Sequence, residues 1–269
     1  MDDRFGVVSQ LRLSLDPVEL TPLEDASDWQ KLQKTNMVQL RRWFEAQLVW
    51  GGVPKRVAAH CGICASTREV ELTTRHAELT PNGGLRIAYS ETGECIGCKC
   101  NSRIRFACDV ALLGRGLGEP FYLCEQKTNL FRCLSHAGYN VTGSEYLGRD
   151  KVGGRSYDGI QHQDVHQLSF PSESFSVVLC LDVLEHVNDP VTAVVELHRI
   201  LKSGGLAVLT FPFFDRPESV VRSRVSPDGS VVNVLPAQFH GNPLGGGALV
   251  FRELGWDFIH EIQRCLGRD

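Results

Sequence analysis

The sequence of 269 residues contains no apolar run approaching the ~18 to 20 residues that a membrane span requires, so a membrane-spanning role is not expected. It also lacks a strong charge excess. A net charge of −4 and a pI of about 6.1 give no global nucleic-acid footprint. Arg103, Arg105 and Arg115, with the "PKRVAAH" stretch, read as a solvated face or a local basic patch. The N-terminal "MDDRFGVVSQLRL" is neither a basic leader nor followed by an apolar core, so export is not expected and a cytoplasmic location is. Without an export signal, ten cysteines do not read as disulfides. No internal repeat or long low-complexity tract is present.

A more local absence concerns "PFYLCEQKTNLFRCL", residues 120–134, which reads as a short apolar strand entering an amphipathic helix. Where an α/β domain binds a nucleotide, that junction is usually glycine-rich, so that backbone N–H groups can approach the ligand. Glu125 and Gln126 stand there instead.

What is present divides the chain into three. Residues 1–58 form an N-terminal helical region, with Leu32, Val38, Leu40, Phe44 and Leu48 spaced along one face before "GGVP" stops the helix. Residues 59–102 carry five cysteines, and a Pro-Asn-Gly-Gly turn separates the two knuckles. From residue 103 to 269, apolar strands alternate with helices, which predicts an α/β domain: a Rossmann-like parallel sheet with helices on both faces. "DRPESVVRSRVSPDGS" reads as a mobile loop near one end of that sheet.

The cysteine segment points to metal. "HCGICAS" and "GECIGCKC" are two Cys-x-x-Cys knuckles, and four thiolates from two tight turns satisfy tetrahedral zinc. Cys61, Cys64, Cys95 and Cys98 are the expected ligands of a structural Zn site, with Cys100 and His60 as substitutes. Four sulfur ligands leave no open position, so such a site fixes structure rather than activating water. Cys108, Cys124, Cys133 and Cys180 lie on apolar elements and read as small core residues.

Carboxylates fall at the ends of the predicted strands, where an α/β sheet binds its ligands. They are Glu125 after the first, Glu145 after the second, Asp164 at the expected end of the third, and Asp182 after the fourth. "DVHQLSFPSESFSVVLCLDVLEHVNDPVTAVVELHRILKSGGLAVLTFPF" resembles the second half of a class I S-adenosylmethionine-dependent methyltransferase, and the likeness covers roughly residues 118–214. The resemblance implies that Glu145 binds the cofactor ribose and Asp164 faces the adenine, with Val165 at its ring. It further implies that Asp182 and Val183 lie near the methionine portion. It also places the glycine-less junction where the cofactor is normally cradled. Glu125 would then receive the ammonium group, with Gln126, Lys127 or Thr128 shaping the turn.

His186 and His240 are the candidate general bases, should the acceptor need one. "DVLEH" is also similar to the metal-binding Glu-x-x-Glu-His arrangement of magnesium-dependent ubiquinone-pathway O-methyltransferases and small-RNA terminal methyltransferases. Here Asp182 replaces the first acid, Glu185 and His186 follow, and no clear downstream His pair is present. The aromatics at 211, 213, 214 and 239 are candidates to line an acceptor pocket, and Trp256 and Phe258 read as core anchors.

The resembling domains finish with a sixth strand and an antiparallel seventh, whereas here the last helix ends at "CLGRD". An abbreviated sheet, or a homodimer covering its edge, is therefore expected. The reading is S-adenosylmethionine-dependent methyl transfer to a small-molecule or peptide-like acceptor at O, N or C, yielding S-adenosylhomocysteine. Its rivals are a noncatalytic zinc-containing adaptor and a nucleic-acid methyltransferase.

Overall fold

A computed structural model describes residues 23, 25–36, 38–40, 43, 55–79 and 85–267. Of the predicted N-terminal helix, α1 (Ala26–Gln33) begins at Asp25, whose carboxylate accepts the amides of Ser27 and Asp28. Phe44, Leu48, the "GGVP" stop and the Pro-Asn-Gly-Gly turn lie outside the described residues.

The cysteine segment is built on β1 (Lys55–Cys61) and β2 (Ser66–Leu72), an antiparallel pair in register from Lys55↔Leu72 to Cys61↔Ser66. A small hairpin, β3 (Glu78–Leu79) and β4 (Leu85–Arg86), precedes β5 (Glu94–Cys95), which pairs with β2 and sets Cys95 opposite Val70. The chain then enters α2 (Ser102–Leu112), whose N-cap Asn101 accepts the Ile104 amide.

The expected parallel sheet follows. Its strands are β6 (Phe121–Leu123), β7 (Val141–Gly143), β10 (Phe175–Leu181) and β11 (Leu201–Thr210), in the spatial order β11-β10-β6-β7. The period-2 alternation of β10 divides its side chains between two cores. Val177, Leu179 and Leu181 join Phe121 and Leu123 beneath α2 and α3 (Asn129–His136). Val178 and Cys180 join Tyr122 beneath α4 (Pro190–Arg199) and α5 (Trp256–Cys265). Helices thus cover both faces, as expected of a Rossmann-like α/β domain.

The cysteine segment is not set apart from this domain. Cys61, Cys95, Cys98 and Cys100 belong to the same buried cluster as Cys108, Phe121, Leu130 and Leu179. Cys108 and Cys180 are buried, as read from their apolar neighbours.

Two stretches differ from expectation. The third parallel strand is reduced to a single bridge, Glu145↔His162. The residues before it form a hairpin instead, β8 (Ser156–Tyr157) and β9 (Ile160–Gln161). Asp158 and Gly159 both have positive φ, 51° and 76°, the mirror-image turn that suits a two-residue hairpin. The second stretch is the expected loop after residue 214. It contains β12 (Val220–Val221), and β13 (Ser223–Val225) paired with β14 (Val231–Asn233). Beyond it, β15 (Phe239–His240) pairs with β16 (Ala248–Leu249), and β12 pairs with β17 (Arg252–Glu253). Together they build a cap over the C-terminal ends of the parallel strands. Among the described residues β11 forms one edge of the parallel sheet. No described helix is long and apolar enough to cross a membrane.

Candidate functional site

A cavity of about 880 Å³ opens at the C-terminal ends of the parallel strands. Its wall includes Glu125, Thr128, Glu145, Asp164, Val165, Asp182, Val183 and His186. Eight of the residues singled out from sequence thus meet around one space. Gln126 and His240 are not on its wall.

The glycine-less junction is held by side chains. Glu145 Oε1 accepts the backbone N–H groups of Gln126 and Lys127, each at 2.8 Å. These are the amides that a glycine-rich turn would aim at a ligand. Gln126 turns away: its Oε1 accepts the Gln161 amide and its Nε2 donates to the Gly159 carbonyl, fastening the junction to the β8–β9 hairpin. Thr128 caps α3 by accepting the Phe131 amide, and its hydroxyl donates to Glu125 Oε1 at 2.9 Å. The close approach comes from the neighbouring strand. A Cβ on Gly143 would lie 2.6 Å from the Glu125 carbonyl oxygen and 2.5 Å from the Phe131 ring. Burial pushes the Glu125 carboxyl up to about 7, with the nearby Glu145 and Asp182 adding to the effect.

The other two acids are fixed differently. Asp164 Oδ1 accepts from both the backbone and Nδ1 of His166, at 2.9 and 2.8 Å, which holds its carboxyl below the usual range. Asp182 follows β10 with φ of 53°, a left-handed conformation that Asp tolerates better than most residues. Its Oδ2 lies 2.5 Å from Arg103 and its Oδ1 accepts the Thr210 hydroxyl. Burial raises the Asp182 carboxyl while Arg103 opposes that shift. Arg103 also pairs with Glu91 at 2.9 Å. It is therefore not part of a solvated basic face but ties the cysteine segment to the cavity wall. An isolated arginine in the first turn of a helix gave no sequence signal for this, and Tyr146 and His166, also on the cavity wall, had none either.

His186 and His240 converge on Glu185, which sits in a short 3-10 turn after β10 and is 1% exposed. His186 Nε2 and His240 Nδ1 lie 3.5 and 3.6 Å from Glu185 Oε1, and the two rings meet edge to face. His186 Nδ1 bonds the Leu249 carbonyl at 2.9 Å. Glu185 and His240 line a smaller recess beside the main cavity, with Phe214, Pro212 and Gln238. The aromatics expected to line an acceptor pocket are mostly elsewhere. Phe211, Phe213 and Phe239 are absent from the main wall, and only Phe214 reaches the recess. Trp256 and Phe258 are buried, as expected of core anchors.

Cys61, Cys64, Cys95 and Cys98 bring four Sγ atoms within 4.8 Å of one another. The Cys61–Cys98 and Cys64–Cys95 separations are 3.7 and 3.8 Å. Tetrahedral geometry with metal–sulfur bonds of about 2.3 Å requires sulfur–sulfur spacings of about 3.8 Å, so the donor set fits zinc. Cys100 is buried beside them, but its Sγ faces the Cys98 carbonyl. His60 is exposed on β1 and is not among the clustered donors.

A 72-residue stretch, 27% of this chain and 25% of the relative, is 38% identical to an uncharacterized methyltransferase of Schizosaccharomyces pombe. The match thus spans about a quarter of that curated relative's length. Among solved structures, the 1,6-didemethyltoxoflavin-N1-methyltransferase of Burkholderia thailandensis is 16% identical, covers 61% of this chain and 66% of its own, and has a TM-score of 0.36. An S-adenosylmethionine-dependent methyltransferase from Mesorhizobium loti is 16% identical, covers 58% and 78%, and has a TM-score of 0.33. Residues 127–209, from the glycine-less junction to the end of β11, match the family described as a methyltransferase domain.

Proposed function

We propose that this chain transfers a methyl group from S-adenosylmethionine to a small-molecule or peptide-like acceptor. The observation that carries the reading is the convergence of Glu125, Glu145, Asp164 and Asp182 on one cavity at the ends of parallel strands. Four acids around one space suit a ligand that carries positive charge, and the elevated Glu125 carboxyl marks a site that a cationic group would relieve.

The residues present fit such a cofactor. Glu125, held by Thr128, takes the ammonium group. Glu145 uses one oxygen to fix the junction and offers the other to the ribose hydroxyls. Asp164, fixed by His166, takes the adenine amine with Val165 against the ring, and Asp182 and Val183 border the methionine portion. When bound, the cofactor supplies an electrophilic methyl group on a sulfonium. The protein's contribution is to hold donor and acceptor in line and to exclude water, which needs no acid or base for an acceptor already nucleophilic. His186 and His240 are turned toward Glu185, and this reading assigns them no proton transfer.

Zn²⁺ belongs at Cys61, Cys64, Cys95 and Cys98, where four thiolates would leave no position for substrate. Its role is structural, because those cysteines share the core beneath the sheet. Calorimetric titration of zinc-loaded full chain with S-adenosylhomocysteine tests the proposal: one site per chain is expected. Absence of binding to either adenosyl compound would overturn it.

A further inference from the structure

We infer that the acceptor part of the cavity binds an uncharged molecule with carbonyl oxygens on an apolar frame, read by the side-chain amides of Asn188 and Asn242. Calling that ligand the acceptor rests on the methyl-transfer reading above, whereas the pocket's preference for a neutral, oxygen-bearing ligand does not. At about 880 Å³ the cavity lies near the top of the range for small-ligand sites, about 300 to 1,000 Å³, which leaves room for a second ligand beside a cofactor.

The wall changes character along its length. Glu125, Glu145 and Asp164, assigned above to the cofactor, follow β6, β7 and β9. Most of the remaining wall is built by the turn after β10 and by the cap, with Val183, Val187, Val225, Leu244, Leu249 and Phe251 as its apolar surface. Charge there is already matched. Asp182 is paired with Arg103, and Asp189 caps α4 with both oxygens on Thr192. His186 donates Nδ1–H to the Leu249 carbonyl, and burial pushes its imidazole below the usual range, so the ring is neutral at pH 7. Among the described residues Arg149 is the one arginine or lysine on the wall, and its guanidinium is held by the Gly229 carbonyl. A carboxylate or phosphate brought against this surface would lose its water without gaining a cation, which is costly.

Two asparagines supply the polar contacts. Asn188 Oδ1 accepts the Val225 amide at 2.9 Å, and Asn242 Oδ1 accepts the Leu244 amide at 2.8 Å. A backbone N–H can only donate, so each side-chain oxygen is fixed and each Nδ2 is turned the other way. Asn188 is gripped at its main chain as well, its carbonyl accepting from Arg252 Nε at 3.1 Å. The Asn242 carbonyl accepts the Gly245 amide at 2.9 Å. Among the described residues neither Nδ2 has an acceptor. Both residues are half-buried and line the cavity, so each has two N–H donors left for a ligand.

Donors without acceptors on an apolar wall select oxygen atoms that accept without carrying charge: amide, ester or ketone carbonyls. A site built to hydrogen-bond an oxygen rejects the analogue lacking it, because the site's own amide is then left unpaired. Asn188 lies just before the N-cap of α4, and Asn242 lies in the turn between β15 and β16. The ligand thus touches both the sheet end and the cap.

Benzamide, benzoate and benzylammonium are the probes, one ring carrying a neutral carbonyl, an anion or a cation. Zinc-loaded full chain in excess S-adenosylhomocysteine is titrated with each at pH 7, and binding is read by saturation-transfer NMR. Benzamide is expected to bind, with benzoate and benzylammonium about tenfold weaker or more. Asn188→Asp and Asn242→Asp keep the oxygen that accepts the Val225 or Leu244 amide, so both are expected to fold. Each removes two donors, so benzamide binding should fall about tenfold and benzylammonium binding should rise. Benzoate binding as tightly as benzamide, no benzamide binding at millimolar concentration, or benzamide binding unchanged in either variant would overturn the site. S-adenosylhomocysteine titration of the same preparations separates the two readings. Cofactor binding without benzamide binding removes only the neutral-ligand pocket. Benzamide binding that depends on both asparagines, in a chain that binds no adenosyl compound, removes only the methyl-transfer reading.

Discussion

The cysteine cluster and the acid-lined cavity lie on either side of Arg103 and show two ways of concentrating like groups. In the first, four sulfurs approach to within 4.8 Å and leave no space. In the second, four carboxylates stand around about 880 Å³ and keep apart. Closely packed soft donors suit an ion. Acids spread around a cavity suit the larger, charged ligand of the proposed function. Arg103 joins the two by pairing Glu91, just before the second knuckle, with Asp182 on the cavity wall.

The comparison breaks most severely at the cysteines. Cys98→Ser removes one of four thiolates from a cluster continuous with the core under the sheet. Loss of bound zinc and of several kcal/mol of stability is expected, because structural zinc binding is itself folding free energy, about 10 to 16 kcal/mol in small zinc peptides. Metal analysis with thermal unfolding checks this. No zinc in the wild-type protein, with an unchanged Tm in the variant, would show that the cluster is only a packing of reduced cysteines.

Gly143→Ala strikes the other region at its closest approach. With backbone and ring atoms 2.5 to 2.6 Å from the new Cβ, the junction must shift. A loss of about 1 to 3 kcal/mol is expected, with weakened cofactor binding and zinc retained. Arg103→Met removes the link between the regions. Asp182 then keeps only the Thr210 hydroxyl, and about 1 to 2 kcal/mol of stability is lost, discounted for the partial exposure of the pair. A double-mutant comparison with Glu91→Gln would show whether the two ion pairs act together. Gln126→Ala is the mildest, costing about 1 kcal/mol by freeing the junction from the β8–β9 hairpin while leaving the cavity wall intact.

The same contrast explains how much could be read in the sequence. Cysteine spacing is local, so two Cys-x-x-Cys knuckles pointed directly to the four cysteines that cluster. Strand-end acids were also legible, because alternating apolar runs locate the ends of β6, β7 and β10. The third strand was not: its residues carry an Asp-Gly pair whose hairpin turn competes with sheet pairing. The cap after β11 was missed because short strands rich in charged and turn residues look like loop until their partners are known. Arg103 and the meeting of His240 with Glu185 depend on contacts across 79 and 55 positions, which no local pattern carries.

At the glycine-less junction Glu145 holds the amides and Gly143 supplies the clearance, and the proposed function makes Glu125 the acid that meets the cofactor. Its pH dependence is the most direct test. In the ligand-free protein the Glu125 carboxyl is raised from 4.5 to about 7. The stability it contributes is thus fully present below pH 4.5 and is lost as the pH rises through about 7. A bound ammonium group favours the carboxylate, so binding below pH 7 must expel that proton. Calorimetric affinity for S-adenosylhomocysteine is predicted to rise between pH 5.5 and 7 by up to about tenfold per unit, and the rise should flatten in Glu125→Gln, with binding at pH 7 at least tenfold weaker. Equal affinity and the same pH profile in wild type and Glu125→Gln, with both folded, would contradict the account.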